Sequence, residues 1–334
     1  IARRAVEGNA ARFARADAGG GGDVTPGGND SQVGWDRVNL AAQDFADIGW
    51  STLGRKTQVG DWVRHIQLGD SNGANMNTTW IWKNKKTGQQ IIVKYDDDGY
   101  NHGYQWNGGQ GAMAEEAVAR MYRDLGFAQP AARLVNPDAD ESDRDKRGII
   151  VMDVVDENNE WGLEDAETFN SYDTPRLSEF DPAYHDEVFR LFIANGIMGQ
   201  TDRHGKNMMH GDTPKGKMRP VVIDNGLMLL NAAFGQAYQF NANGAPNEIR
   251  PDLVLFARSG YNHNANMLRV AAKEWLKKHG RDKAHSEMEQ LALRMQERAQ
   301  VLTMSPEQRE YIIARAQWTI DNWEEFIDTI ERYG

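Results

Sequence analysis

Two short stretches carry the residue types that phosphate chemistry needs. Thr201-Asp202-Arg203-His204-Gly205-Lys206-Asn207 places an aspartate and an asparagine five apart in a loop after an apolar helix. Val221-Val222-Ile223-Asp224-Asn225-Gly226-Leu227 ends a short apolar run on another aspartate. Transfer of phosphate from ATP requires a carboxylate to orient or deprotonate the acceptor and an oxygen pair to hold Mg²⁺, and Asp202, Asn207 and Asp224 are of those types. Taken singly, each stretch has a plainer reading: an Asp that caps a turn, and an Asp-Asn-Gly that forms one. Their order along the chain, after a strand-rich half, weighs toward phosphoryl transfer, because a motif is confirmed by its context.

That context lies upstream. Lys94 falls inside the apolar run Ile91–Tyr95, where a lysine is out of place unless it is paired. The competing reading is a lysine that snorkels from an edge strand to water. The following helical segment, Ala112 to Leu125, offers Glu115 and Glu116. At about 100° per residue, Ala114, Val118, Met121 and Leu125 share one face, Glu115 sits at its edge and Glu116 nearly opposite. Glu115 is therefore the expected partner of Lys94. The loop Gly69-Asp70-Ser71-Asn72-Gly73-Ala74-Asn75 supplies backbone N–H groups with little side-chain bulk, which suits the covering of phosphates, although most such loops are plain turns.

These residues need elements to hold them. Trp62–Leu68, Thr78–Trp82 and Gln90–Tyr95 read as strands, the last two joined by the hairpin turn Asn84-Lys85-Lys86-Thr87-Gly88. Ala112–Leu125 reads as a helix stopped by Gly126. Ala131–Val135 and Gly148–Val155 read as two further strands around an acidic turn. Beyond Asp156 the chain reads as mostly helical: Pro182–Met198, Met267–Lys278, Ser286–Leu302, and one long helix from Pro306 to Ile330. Ahead of all this, Ile1–Asp17 reads as an Ala/Arg-rich helix. Gly19–Gly22 and Pro26–Asn29 read as a flexible linker, with the compact part starting near Val33 or Gly34. Strands followed by helices give an α+β arrangement of two lobes.

Composition narrows the chemistry. The 334 residues carry 38 Lys and Arg against 49 Asp and Glu, a net charge of −11, with no cysteine. The acidity argues against wrapping nucleic acid or anionic lipid by bulk charge. The missing cysteine removes disulfides, thiolate metal sites and a thiol nucleophile, and with no signal-peptide or membrane-spanning pattern it predicts a cytoplasmic protein. His204 and His210 near Asp212 lack the spacing of a transition-metal ligand pair. The Trp residues are expected in packing, and no Gly-x-Ser-x-Gly elbow occurs.

In their order these parts resemble the protein-kinase-like superfamily in its atypical branch. The Asp202-to-Asn207 loop is similar to the Asp-Arg-His-x-x-Asn loop of phosphatidylinositol 3/4-kinases and HipA-type toxin kinases. Ile223-Asp224-Asn225-Gly226-Leu227 resembles the metal-binding motif of type II phosphatidylinositol 4-kinases and of secretory-pathway kinases. Ile91-Ile92-Val93-Lys94 and Glu115 resemble the small lobe. The resemblance spans roughly residues 60 to 230, and it departs from conventional protein kinases in lacking His-Arg-Asp, Asp-Phe-Gly and a following Ala-Pro-Glu.

It implies a two-lobed protein-kinase-like α+β fold, which with the composition and element pattern divides the chain into 1–33 a helical and Gly-rich tail, 34–155 a small antiparallel-sheet lobe for the nucleotide, and 156–334 a helical catalytic lobe. It implies ATP and Mg²⁺ as cofactors. Lys94, fixed by Glu115, would grip the ATP phosphates, and Ser71, Asn72, Gly73 and Ala74 would cover them. Met152-Asp153-Val154-Val155 would receive the adenine through backbone groups. Asp202 would orient the acceptor hydroxyl, His204 would lie near the transferred phosphate, and Asn207 and Asp224 would hold the metal.

The expected activity is phosphate transfer to Ser or Thr of a protein. The acidity sets a phosphoinositide lipid acceptor behind a protein one. Transfer of AMP, and a nucleotide-binding interaction module without catalysis, stay open beside it. The N-terminal tail is expected to attach the domain to a larger protein or assembly. Neither nucleic acid nor a transmembrane segment is expected.

Overall fold

The structure, a computed structural model, describes residues 31–69, 78–95, 110–138, 146, 148–155, 162–163, 166–170, 173–199, 203, 205–225, 267–304 and 306–333. It is an α+β protein with an antiparallel sheet toward the N-terminus and helices toward the C-terminus.

The chain enters through α1 (Ser31–Phe45), where the sequence assigns no element between the glycine linker and Asp61. Trp35, Val38, Ala41, Ala42 and Phe45 recur at helical spacing and are all buried, so the helix is held by one apolar face. After a short turn of helix, α2 (Trp50–Leu53), come β1 (Gln58–Val59), β2 (Trp62–Gly69), β3 (Thr78–Asn84) and β4 (Gln90–Tyr95). The β3–β4 hairpin turns where expected. The Asn84 side chain accepts from the N–H of Lys86 and Thr87, and Gly88 supplies the left-handed φ of +76°. Helix α3 (Gln110–Asp124) follows, stopped at Gly126 with φ +88°, and then β5 (Ala132–Leu134) and β6 (Ile149–Asp153). The sheet order is β1-β2-β3-β4-β6-β5, antiparallel throughout, which makes β4 a central strand. Lysine at position 94 therefore sits mid-sheet rather than on an edge.

The second half is less purely helical than its sequence reads. A three-stranded sheet forms from β7 (Glu167–Thr168), β8 (Met208–Asp212) and β9 (Met218–Val222). The β8–β9 turn, Thr213 to Lys217, closes with the Thr213 N–H on the Lys217 carbonyl at 2.6 Å and Gly216 at φ +68°. The helices α4 (His185–Ile197), α5 (Arg269–His279), α6 (Arg281–Val301), α7 (Pro306–Asp321) and α8 (Trp323–Tyr333) pack on one another in a core that also takes in Met208 of β8 and Val222 of β9. The expected helix Pro182–Met198 begins instead as a 3₁₀ turn, Pro182–Tyr184, capped by Asp181. The single long helix expected from Pro306 to Ile330 is two helices. Asn322 breaks it, its side-chain amide adding a second hydrogen bond to the Trp318 carbonyl at 3.0 Å. The turn lets Phe326, Ile327 and Ile330 reach the core.

Helix α3 belongs to both cores. Val118, Met121, Tyr122 and Leu125 pack among the C-terminal helices, while Ala112 and Ala119 pack against the sheet. Its last residue, Asp124, is paired with Arg298 of α6. On the other side, the guanidinium groups of Arg120 and Arg123 stack on Trp35 of α1. Among the described residues, no helix is long and apolar enough to cross a membrane.

Candidate functional site

Lys94 lies opposite Thr79 on β3 and Ile150 on β6. Its ammonium donates to Glu115 Oε2 at 3.1 Å and to Asp224 Oδ1 at 2.7 Å. The three side chains are 11%, 1% and 47% exposed, so the Lys94–Glu115 side is closed and the Asp224 side opens to solvent. Burial, the largest single influence, pulls the Lys94 pKa down, and the two carboxylates outweigh it. The ammonium is held above its ordinary range and stays charged through neutral and mildly alkaline pH.

Glu115 is held from its other oxygen as well: Oε1 accepts the backbone N–H of Asn225 at 2.9 Å. This explains why Glu115, and not its neighbour, meets the lysine. Glu116 is buried too, contrary to its expected outward position. Strand β5 covers that side of α3, so Glu116 accepts from Arg120, from Arg133 and from the Leu134 N–H.

The second motif is fixed by a hairpin. In the β8–β9 register Met208 pairs with Val222, which puts Asn207 across from Ile223 and one residue from Asp224 at the open end. Arg203, fully buried, locks that end. One of its terminal nitrogens donates to the Asn207 carbonyl and, at 2.6 Å, to the Ile223 carbonyl, and the other donates to Asn225 Oδ1 at 2.7 Å. The Asn225 amide in turn donates to Gln129 Oε1 at 2.9 Å. Asp224 itself has φ +52°, in the left-handed region that Asp and Asn tolerate best among residues with a Cβ. Nearby, the Tyr122 hydroxyl donates to Asn195 Oδ1 at 2.8 Å. Burial pushes the Tyr122 phenol up despite the Arg203 charge beside it.

Sequence reasoning gave no role to Arg203, Asn225 or Gln129. The first two lie inside the motifs, each directly after an aspartate, and that adjacency is the signal from which a positioning role was readable. Gln129 gave none.

The structure thus brings Lys94, Glu115 and Asp224 together, with Asn207 at the same hairpin end. Asp202, His204, Ser71, Asn72, Gly73 and Ala74 lie outside the described residues. At the end of β6, Asp153 is buried with its carboxylate on Arg37 of α1 (2.7 and 2.9 Å), and Val154 gives its carbonyl to the Leu163 N–H. Burial drives the Asp153 carboxyl above its ordinary range, against the pull of Arg37 and of the Val155 and Val154 N–H groups.

Among the described residues no group of three or more His, Asp or Glu side chains is arranged to hold a metal alone. Mg²⁺ does not need one, since it is commonly held by one or two protein oxygens together with substrate phosphates and water. The carboxylate of Asp224, half-exposed and with one oxygen on the Lys94 ammonium, lies beside the Asn207 end of the hairpin and is of the chemistry that donor set uses.

Gly205 sets how closely the loop packs. A Cβ there would overlap the Asn170 backbone carbonyl. Gly205→Ala is expected to lower stability by about 2 kcal/mol in denaturant unfolding, as overpacking against rigid backbone does. An unchanged midpoint would mean that the loop does not rest on Asn170.

No protein-family model matches this sequence, and no curated protein matches it. Among solved structures it is similar to the Helicobacter pylori proinflammatory kinase CtkA, with TM-score 0.39 and 12% identity over 80% of this chain and 95% of that one.

Proposed function

We propose that the chain is an ATP- and Mg²⁺-dependent phosphotransferase acting on Ser or Thr of a protein. The observation that carries this is the position of Lys94, a buried lysine on a central strand gripped by Glu115 and bound on its other side by the half-exposed carboxylate of Asp224. A buried ammonium needs a paired charge whatever its role. This one also faces a second carboxylate that is nearly half exposed and held at a left-handed φ.

In this reading the Lys94 ammonium binds the triphosphate, and Glu115 keeps it from swinging away. Asp224 and Asn207 offer oxygens to Mg²⁺, whose charge offsets that building up on the transferred phosphoryl group. Asp202 orients the acceptor hydroxyl. Little covalent work is left for the protein, so positioning and charge neutralisation supply the rate. The net charge of −11 favours a protein acceptor over an anionic lipid surface.

The test is incubation of the purified chain with γ-labelled ATP, Mg²⁺ and a lysate, beside Lys94→Met. Label should enter Ser or Thr of protein with the wild type and fall by on the order of 10²-fold or more with the variant. Equal labelling by both would sink the assignment. Transfer of AMP, seen as the heavier adduct by mass spectrometry, would replace it.

A further inference from the structure

Resting on that reading, we infer that Arg315 of α7 is a positioning residue for phosphate transfer: it fixes the end of α4, from which the chain runs within a few residues to the Arg203 lock behind Asn207 and Asp224. Arg315 is 4% exposed and touches none of the reacting groups itself.

The last carbonyls of a helix have no N–H within the helix to bind them. At the end of α4 the Arg315 guanidinium takes two. Its Nε donates to the Ile197 carbonyl at 2.8 Å, and a terminal nitrogen donates to the Gly196 carbonyl at 2.6 Å. Gly196 and Ile197 are both buried, so a carbonyl that lost its donor there would stay out of water. The cation also meets the negative pole of the helix.

The same face of α7 shapes the residue that follows. Tyr311, one turn before Arg315, has its ring 4.8 Å from the guanidinium carbon. Gly199 leaves α4 at φ +67°, and a Cβ on it would overlap the Tyr311 hydroxyl. Four residues on, Arg203 ties the Asn207 and Ile223 carbonyls together. Four residues span at most about 14 Å even when extended, so a displaced α4 end pulls on that lock. Asp202 belongs to the same short span. Helix α7 has anchors of its own in Ile312 and Ala316, both fully buried, which leaves the guanidinium to serve α4. A misplacement of about 1 Å at reacting groups costs on the order of 10²-fold in rate.

The experiment compares the full chain with Arg315→Met, which keeps the apolar stem, and Arg315→Lys, whose ammonium can reach one carbonyl. Steady-state transfer is measured below the Tm of each, with amide exchange followed by mass spectrometry. With Arg315→Met, kcat is expected to fall by about tenfold or more while KM for Mg²⁺–ATP changes by less than about threefold, because Lys94 and Glu115 lie on β4 and α3. Exchange is expected to quicken over residues 196–207 and not in β4 or α3. Arg315→Lys should fall between variant and wild type in both readings. An unchanged kcat in folded protein, a KM rise as large as the kcat fall, or unchanged exchange over 196–207 overturns the inference and leaves the phosphotransferase reading standing. No transfer by the wild type overturns that reading and the role in transfer with it, and exchange, which needs no turnover, still decides whether Arg315 fixes the α4 end. Should Arg315→Met not fold, Arg315→Lys decides by the same two readings.

Discussion

Asp224→Asn is expected to reduce phosphate transfer by on the order of 10³-fold or more while leaving the protein folded. The substitution removes one negative charge at the point where a metal would be held and changes almost nothing else. Asn has the same shape and shares the tolerance of Asp for left-handed backbone, so φ +52° is no obstacle. Lys94 keeps its 3.1 Å bond to the buried Glu115. The lost ion pair involves a carboxylate 47% exposed, so it is worth no more than about 1 kcal/mol, or roughly 1–2 °C in the Tm of a 334-residue chain. Turnover and thermal unfolding of the same preparation check this. A variant as fast as wild type removes Asp224 from the reaction, and a Tm fall well beyond that figure gives it a structural role instead.

Arg203→Lys is expected to destabilise the 334-residue protein by about 3–5 kcal/mol, with Tm lower by roughly 4–7 °C. The guanidinium spans the Asn207 carbonyl, the Ile223 carbonyl and Asn225 Oδ1 at once, with no exposure to water. An ammonium is a point charge on a flexible stem and cannot bridge acceptors fixed by a planar fork. The acceptors it leaves unmet stay buried, at about 1–3 kcal/mol each. Asn207 and Asp224 would lose their fixed spacing, so turnover should fall together with stability. Urea unfolding decides the matter: a loss under 1 kcal/mol would show that water or another group replaces the fork.

The strands on either side of the Asn84 turn were legible because alternation and turn chemistry are local, and so was the Gly126 stop. The helix α1 was not, because its amphipathic face follows directly on a glycine-rich stretch that reads as a linker. The β8–β9 hairpin was hidden by short strands in a region whose neighbours are helical, although Thr213-Pro214-Lys215-Gly216 is a turn signal between them. Asn322 looked like one polar residue in a long helical run, and only the packing of α8 shows why the run bends there.

At the candidate site the division is sharper. The residue types, and that Lys94 in an apolar strand needs a partner, were fixed by the chain alone, since an unpaired buried ammonium is untenable whatever the fold. Periodicity also put Glu115 at the edge of the apolar face of its helix. What tertiary structure alone decided is which groups meet across distance. Lys94 meets Asp224 over 130 positions, Glu115 meets the Asn225 N–H over 110, and Arg37 seals Asp153 over 116. Local pattern constrains direction and chemistry within a turn or a strand. Pairings at these separations are set by how α3, the β8–β9 hairpin and α1 dock on the sheet.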